Sequence, residues 1–162
     1  MMMAKRKVMR SCGVSIAPGL LAALFMVACT SAQPGMDNAG ADQVAVQASA
    51  ISQLLETADA AQGKRLYLQC RACHSIEKGG INTVGPNLHG LLGSTAGNAE
   101  GFNYSDVLLE SGVVWTPETL DQWLTRPASF LPGNRMIFVG ISDPKDRADL
   151  ILYLQQATAA AD

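Results

Sequence analysis

Two cysteines and a histidine stand together in the pentapeptide Cys70-Arg71-Ala72-Cys73-His74, and their spacing limits how the surrounding chain folds. Thiols three residues apart lie about one turn apart on a helical backbone, so both can add to the two vinyl groups of a single porphyrin. The adjacent histidine then lies under the iron and can bind it through a ring nitrogen. The motif therefore predicts one covalently attached haem c.

Two other uses of the same residues stay open on the motif alone. A redox-active disulfide has the same Cys-x-x-Cys spacing, but it normally lies in a βαβ unit, and this sequence has no alternating strand pattern. A structural zinc ion needs four ligands, and the cysteine and histidine candidates in the domain are Cys70, Cys73, His74 and His89. Binding one zinc ion through the adjacent Cys73 and His74 is awkward, so haem c is favoured.

Residues 1–28 are predicted to be an export signal. Four basic residues among the first ten precede the apolar run 14–28, which is shorter than the ~18 residues that a membrane-spanning helix needs. The segment Met26-Val27-Ala28-Cys29 resembles a bacterial lipoprotein box, with methionine where that family usually has leucine. This resemblance implies that Cys29 is acylated and anchors the chain to a membrane. Cleavage near Ala32, giving a free exported protein, is the alternative.

The rest of the chain divides by composition into a linker and one domain. Residues 29–57 are rich in small and polar residues and are predicted to be a flexible tether, with a weak helix in 44–55. Residues 58–162 are predicted to form the domain. All 14 acidic residues follow Cys29 and four of the 12 basic residues precede it, so this part of the chain is net negative. A nucleic-acid partner is therefore disfavoured.

Helix starts and helix breakers predict a mainly helical domain. The predicted helices cover residues 58–70, 104–110, 116–126 and 143–158. Glycine, proline and asparagine are frequent in 79–101 and recur in 129–141, so both segments are predicted to be loops. Loops this long in so small a domain need an internal organiser, which a haem would provide.

From Gly63 to Thr158 the sequence resembles the class I cytochromes c, especially the mitochondrial type and related proteobacterial proteins. The resemblance rests on Cys-x-x-Cys-His followed in order by Gly85-Pro86-Asn87-Leu88-His89-Gly90, Tyr104, Trp115, Pro132-Gly133-Asn134-Arg135-Met136, Ile137-Phe138-Val139-Gly140-Ile141 and Arg147-Ala148-Asp149-Leu150-Ile151. It implies an all-α fold in which the N- and C-terminal helices pack across each other and long loops wrap one covalent haem.

The resemblance also implies which residues hold the haem. Cys70 and Cys73 would form thioethers, His74 would be the proximal iron ligand, and the sulfur of Met136 would be the distal ligand. Ligation by histidine and methionine raises the reduction potential of a haem relative to ligation by two histidines. A methionine that only fills a gap in the core is the alternative for Met136.

Further residues are expected around these ligands. By resemblance, the Pro86 carbonyl accepts a hydrogen bond from the His74 ring, which fixes the ring tautomer. Tyr104, Trp115 and Asn134 match positions near a haem propionate, although core packing alone would explain the two aromatic residues. His89 is expected to bond loop backbone and not iron.

The sequence departs from the mitochondrial type at three places. Ser94 stands where many members have an arginine near the propionates, and Trp123 replaces the usual tyrosine near the methionine sulfur. The ring of lysines that mitochondrial cytochrome c displays around its haem edge is also missing. The matching positions include Gln69, Thr83, Ala128 and Ser129, and Arg135 alone is basic. We therefore expect a partner without a strongly acidic docking face.

The function implied by the resemblance is electron transfer by a non-enzymatic, monohaem protein. Iron with six ligands has no open position for substrate, which argues against a peroxidase-like site. The protein would carry single electrons between respiratory complexes or dehydrogenases and a terminal oxidase or reductase in the bacterial periplasm. A haem c subunit dedicated to one periplasmic oxidoreductase is the alternative.

Overall fold

The computed structural model of this chain describes residues 50–159. Residues 50–55 form helix α1, and the helices that follow are α2 (Ala60–Tyr67), α3 (Asp106–Leu109), α4 (Pro117–Thr125), α5 (Pro127–Phe130) and α6 (Pro144–Ala157). Within residues 50–159 there is no strand, and one isolated bridge joins Thr95 to Val114. The predicted all-α class is confirmed. The predicted export signal, Cys29 and the tether as far as residue 49 lie outside the described residues.

Capping side chains determine where α4 and α6 begin. Thr116 and Thr119 each accept a hydrogen bond from the other's backbone N–H, which forms a reciprocal capping box before α4. Asp143 accepts a hydrogen bond from Lys145 N at 2.8 Å before α6. In both helices a proline occupies the first position, where its missing N–H costs nothing. These local signals explain why both helices were predicted close to their observed bounds.

The loop predicted over residues 129–141 begins too early. Arg126 ends α4 with an extended backbone (φ −166°, ψ 93°), and Pro127 then starts the short helix α5, which includes Ser129 and Phe130. Proline at the first helical position both stops the preceding helix and favours a new one. The sequence-based prediction used only the first of these effects.

The helix predicted over residues 58–70 ends at Tyr67, before the cysteine motif. Consecutive turns carry the chain onward, and the N–H groups of Cys73 and His74 both donate to Cys70 O at 3.0 Å. Turns of this kind still bring Cys70 and Cys73 to one side of the backbone. The motif therefore keeps the spacing that two thioether bonds to one haem require.

Helix α2 packs across α6, which confirms the predicted crossing of the N- and C-terminal helices. At the crossing Asp149, 1% exposed, accepts hydrogen bonds from Asp59 N at 2.7 Å and from Lys145 Nζ at 2.9 and 3.0 Å. These charge-assisted bonds compensate the burial of the carboxylate. Tyr67 and Tyr153, one from each helix, add a ring contact with centroids 5.4 Å apart.

The closeness of α2 and α6 depends on Gly63, and we expect Gly63→Ala to destabilise the domain. A Cβ on Gly63 would lie 2.6 Å from the carbonyl carbon of Asp149 and 2.7 Å from the Cβ of Tyr153, so the two helices would have to separate. Overpacking typically costs ~1–3 kcal/mol, and two rigid neighbours place this variant near the upper end, at about 3 kcal/mol by urea unfolding.

Gly79→Ala is the matched control for Gly63→Ala. Its φ of 71° disfavours a side chain, but no atom lies within 4 Å of the added Cβ. We therefore expect a loss of about 1 kcal/mol, due to the backbone alone. Equal losses for the two variants would contradict the claim that Gly63 is needed for helix contact.

Buried side chains from α1, α2, α4 and α6 belong to one hydrophobic core. Ile51 of α1 is 2% exposed, so the core includes part of the segment 29–57 that composition assigned to the tether. Arg147 connects α6 to α4 through Asp121, with an Nε–Oδ1 distance of 2.6 Å. Among residues 50–159, no helix has both the length and the apolar character needed to cross a bilayer.

Candidate functional site

A cavity of about 360 Å³ lies between α4, α6 and the long loops. Its wall includes Leu120, Leu124, Leu150 and Leu154. All eight residues predicted to bind haem line it: Cys70, Cys73, His74, Pro86, Tyr104, Trp115, Asn134 and Met136. A volume of this size is usual for a cofactor site. Two thiols, an imidazole and a thioether around an apolar cavity form a donor set that fits a covalently bound haem.

The imidazole of His74 is fixed by hydrogen bonds to its ring and to its backbone. Its Nδ1 donates to the Pro86 carbonyl oxygen at 2.7 Å, which leaves Nε2 without a proton and free to bind a metal. Tyr67 Oη donates to the His74 carbonyl oxygen at 2.8 Å. Burial lowers the pKa of His74, against a smaller opposing effect of the Pro86 bond, so the ring is held in the neutral form that binds iron.

Gly85 lets the loop after the motif pass directly against the His74 ring. A Cβ on Gly85 would lie 2.7 Å from Nδ1 and 2.8 Å from Nε2 of the imidazole. The Gly85 N–H donates to Cys73 O at 2.8 Å, and Thr83 Oγ1 donates to the same oxygen, so the loop cannot move away freely. A side chain at position 85 would therefore push the ring.

We expect Gly85→Ala to displace His74 and weaken its bond to iron. The steric cost should lower the free energy of unfolding by about 2–3 kcal/mol, and part of the oxidised protein should become high-spin in its visible spectrum. Gly90→Ala is the control, because its φ of 68° is similar but no atom lies within 4 Å of the added Cβ. An unchanged low-spin spectrum for Gly85→Ala would contradict this role.

The loop that carries Met136 is held by the side chain of Asn134. Asn134 Nδ2 donates to the carbonyl oxygens of Pro127 at 2.8 Å and Leu131 at 2.7 Å. Its Oδ1 accepts a hydrogen bond from Met136 N at 2.9 Å. Asn134 lines the cavity, and its predicted position near a haem propionate stays a prediction. Its hydrogen bonds show a further role, which is to orient the segment that presents Met136.

Tyr104 and Trp115, the other residues expected near a propionate, both lie in the cavity wall. Tyr104 Oη accepts a hydrogen bond from Ala99 N at 3.3 Å and keeps its own hydrogen to donate. Burial raises the pKa of Tyr104, so the phenol stays protonated. Trp115 is 7% exposed and packs edge-to-face against Trp123 with ring centroids 5.4 Å apart. Their hydrogen bonds to propionates stay predictions.

His89 also lines the cavity but lacks the supports of His74. Its backbone N–H donates to Asn87 Oδ1 at 2.9 Å. Within residues 50–159 its ring makes no hydrogen bond, and the bond to loop backbone expected for this histidine stays a prediction. His74 is therefore the histidine whose ring is oriented for a metal.

The Cys70 thiol does not have the lowered pKa of a redox-active cysteine. Burial, with a smaller contribution from Cys73, raises the pKa of the Cys70 thiol to about 11, whereas reactive cysteines have lowered values. No three His, Cys, Asp or Glu side chains of residues 50–159 cluster closely enough to hold a metal ion by themselves. Both observations disfavour the disulfide and zinc alternatives.

Comparison with known proteins decides between the remaining readings. Residues 60–158, more than half of the chain, match the profile of the family described as cytochrome c. This chain belongs to the cytochrome c family. A cytochrome c of Chlamydomonas reinhardtii is 47% identical to it over 102 residues, which cover 62% of this chain and 91% of the relative.

Two bacterial relatives are named cytochrome c2. The protein of Blastochloris viridis is 45% identical over 101 residues, which cover 62% of this chain and 80% of the relative. The protein of Rhodomicrobium vannielii is 42% identical over 96 residues, which cover 59% of this chain and 77% of the relative. The family match covers residues 60–158, which include helices α2 to α6.

Family membership establishes the cofactor and the general function. The cytochrome carries one covalently attached haem c, for which Cys70 and Cys73 fit the attachment motif. It is a monohaem electron-transfer protein, and members of the family are generally not enzymes. The predicted class I cytochrome c fold is confirmed.

Tyr67 and Gly85 position His74, and sequence reasoning assigned a role to neither. Tyr67 is 3% exposed, and a buried phenol needs an acceptor. Its place just before the motif was the available signal. The position of Gly85 next to Pro86 was a weaker signal of its role. The close approach between its loop and the His74 ring is visible only in three dimensions.

Proposed function

We propose that this cytochrome carries single electrons in the bacterial periplasm between respiratory complexes or dehydrogenases and a terminal oxidase or reductase. The supporting observation is that His74 and Met136 line the same cavity, the first oriented by Pro86 and the second presented on a loop held by Asn134. If His74 and Met136 both bound the iron, no coordination site would be left for a substrate. Such a centre exchanges electrons and does not transform a bound molecule.

His74 and Met136 are the residues that would hold the haem iron. The neutral imidazole is a good donor because its Nδ1–H bond to Pro86 raises the basicity of Nε2. The thioether of Met136 is a soft donor that favours Fe(II), which raises the reduction potential. Haem c supplies the one-electron iron couple.

The wall of the cavity limits the access of water. Leucines of α4 and α6 lie behind the site, and Leu150 and Leu154 are 0% and 4% exposed. An apolar shell controls solvent access and local dielectric, and through them the reduction potential. A fixed, dry site also changes little when the charge of the iron changes, which favours fast electron transfer.

Export and membrane anchoring through Cys29 complete the proposal, and the sequence of residues 1–29 supports them. We expect Cys29→Ser to move the holoprotein from the membrane fraction to the soluble periplasmic fraction, because stable anchoring needs acyl chains. Cys12→Ser, in the predicted signal, is the control and should remain membrane-bound. Mass spectrometry should find acyl chains on Cys29 of the native protein, and an unmodified N-terminus near Gln33 would remove the anchor from the account.

The shuttle is tested by isolating the native holoprotein and following its oxidation. Reduced holoprotein mixed with solubilised membranes of the producing organism should be oxidised, with a sharp low-spin c-type spectrum lost as the reaction proceeds. We also expect that no catalytic chain co-purifies with the protein in a fixed ratio. A catalytic chain that co-purifies in constant stoichiometry would instead support the alternative, a haem subunit dedicated to one periplasmic oxidoreductase.

A further inference from the structure

We infer that this cytochrome docks its redox partner through an apolar, nearly uncharged face around the mouth of the haem cavity, and that the partner is a redox protein whose own docking face is apolar and has no acidic cluster. We call the four side chains that define this surface the mouth face: Ile81, Val84, Ile137 and Val139. The inference rests on the proposed function, because it specifies the partner with which the carrier exchanges electrons.

The mouth face contains the most exposed large apolar side chains of residues 50–159. Val84, on the loop beside His74, is 78% exposed, and Ile137, next to Met136, is 102% exposed; both line the haem cavity. Ile81 (75%) and Val139 (84%) lie two or three residues away in the same two loops. Val84 and Ile137 are therefore exposed at the cavity itself, and Ile81 and Val139 extend the apolar character along their two loops. Single exposed apolar residues are common, but a group of them marks an interaction surface.

Charge is sparse on the segments that carry the mouth face. Residues 81–84 and 134–139 contain one charged side chain, Arg135. Its guanidinium donates to the Tyr104 carbonyl oxygen and to Asn103 Oδ1, the latter at 3.5 Å, so this single positive charge is held against the protein surface. Gln69, which also lines the cavity, is neutral. The cationic ring that would attract an acidic partner is therefore missing.

Charge complementarity selects the kind of partner. The chain beyond Cys29 is net negative, and Glu77 and Lys78, which precede the first segment, have opposite signs. An acidic docking face would be repelled by the body of the cytochrome and would find no cluster of cations at its mouth. An apolar face gains from burying valine and isoleucine side chains. Electron transfer also requires close approach to the haem edge, which places the partner at this opening.

The first test is the salt dependence of oxidation. Reduced full-length holoprotein is mixed with detergent-solubilised membranes of the producing organism, and the initial rate is measured at low and high KCl. Because few charges meet at the mouth face, we expect the rate to change less than about twofold between ~10 and ~300 mM. A fall of about tenfold or more would overturn the apolar docking face and leave the shuttle intact. No oxidation at either salt concentration would overturn both proposals.

The second test compares variants at fixed ionic strength. Each membrane rate is divided by the rate with ferricyanide, a small oxidant that needs no protein docking. Val84→Ser and Ile137→Ser should each lower this ratio by about fivefold or more, as expected for central apolar contacts. Val114→Ser is the matched control, because Val114 is 43% exposed but does not line the cavity. Equal ratios for Ile137→Ser and Val114→Ser would overturn the inference.

Two other occupants of the mouth face are separated by direct binding. Both measurements use holoprotein carrying Cys29→Ser, which has no acyl chain. Its binding to phosphatidylcholine vesicles is measured by flotation, and its molecular mass in solution is measured by light scattering. Flotation that disappears with Ile137→Ser would assign the mouth face to a lipid surface. A dimer mass that disappears with Ile137→Ser would assign it to a second copy of the chain, and either result would overturn the inference. A monomer that stays with the soluble fraction supports the redox-protein partner.

Discussion

Replacing Met136 with alanine is expected to abolish the weak near-infrared sulfur-to-iron absorption band of the oxidised cytochrome and to lower its reduction potential. Alanine removes the sulfur, so the distal position loses a donor that favours Fe(II). We expect a fall of roughly 100 mV or more, within the ~0.8 V range over which axial ligands set haem potentials. Near-infrared absorption and a redox titration measure both effects.

Met36→Ala, in the predicted tether, is the control for Met136→Ala and should leave the band and the potential unchanged. The loop contacts of Asn134 give a second comparison, because Asn134→Ala keeps the sulfur but removes three hydrogen bonds that hold the loop. That variant should keep the band in a smaller fraction of molecules. A near-infrared band of full intensity in Met136→Ala would show that another group is the distal ligand.

Replacing both Cys70 and Cys73 with alanine is expected to abolish covalent haem attachment and to unfold most of the domain. The haem fills the space around which the loops and helices pack. Without the haem, the apolar wall of this cavity would have nothing to pack against, a loss of several kcal/mol out of the ~5–15 kcal/mol that stabilise a domain. Circular dichroism and haem staining of the denatured polypeptide measure the two losses.

Single variants separate attachment from folding. Cys70→Ala and Cys73→Ala each keep one thiol and His74, so we expect one covalent bond, a folded domain and reduced stability. Cys12→Ala should behave as wild type, since Cys12 lies in the predicted export signal. A double variant with native helix content and native unfolding free energy would contradict the view that the haem organises this fold.

The sequence predicted those parts of the fold that depend on residues adjacent to one another along the chain. Asp143-Pro144 supplies both a cap and a first residue, so α6 was placed within one residue at its start. The cysteine motif likewise contains its chemistry in five adjacent residues. The start of α5 was missed because Pro127 has two opposite effects on helices, and only its surroundings decide which of them applies.

Contacts between distant segments could not be predicted in the same way. The resemblance assigned Asn134 a position but not its hydrogen bonds, which join it to Pro127 of α5, to Leu131 and to Met136. The bond from Tyr67 to the His74 carbonyl depends on the turns that follow α2. Gly85 is required because its loop passes directly against the imidazole of His74, and no local sequence pattern encodes this close approach.

The central claim is that one haem is bound to this chain through both Cys70 and Cys73, and tryptic peptides of the denatured holoprotein test it most directly. Cleavage after Arg65, Arg71 and Lys78 places the two cysteines in separate peptides, 66–71 and 72–78. The account predicts a single coloured species in mass spectrometry, in which one haem joins both peptides. Two colourless peptides with free thiols, or a disulfide between them, would contradict it.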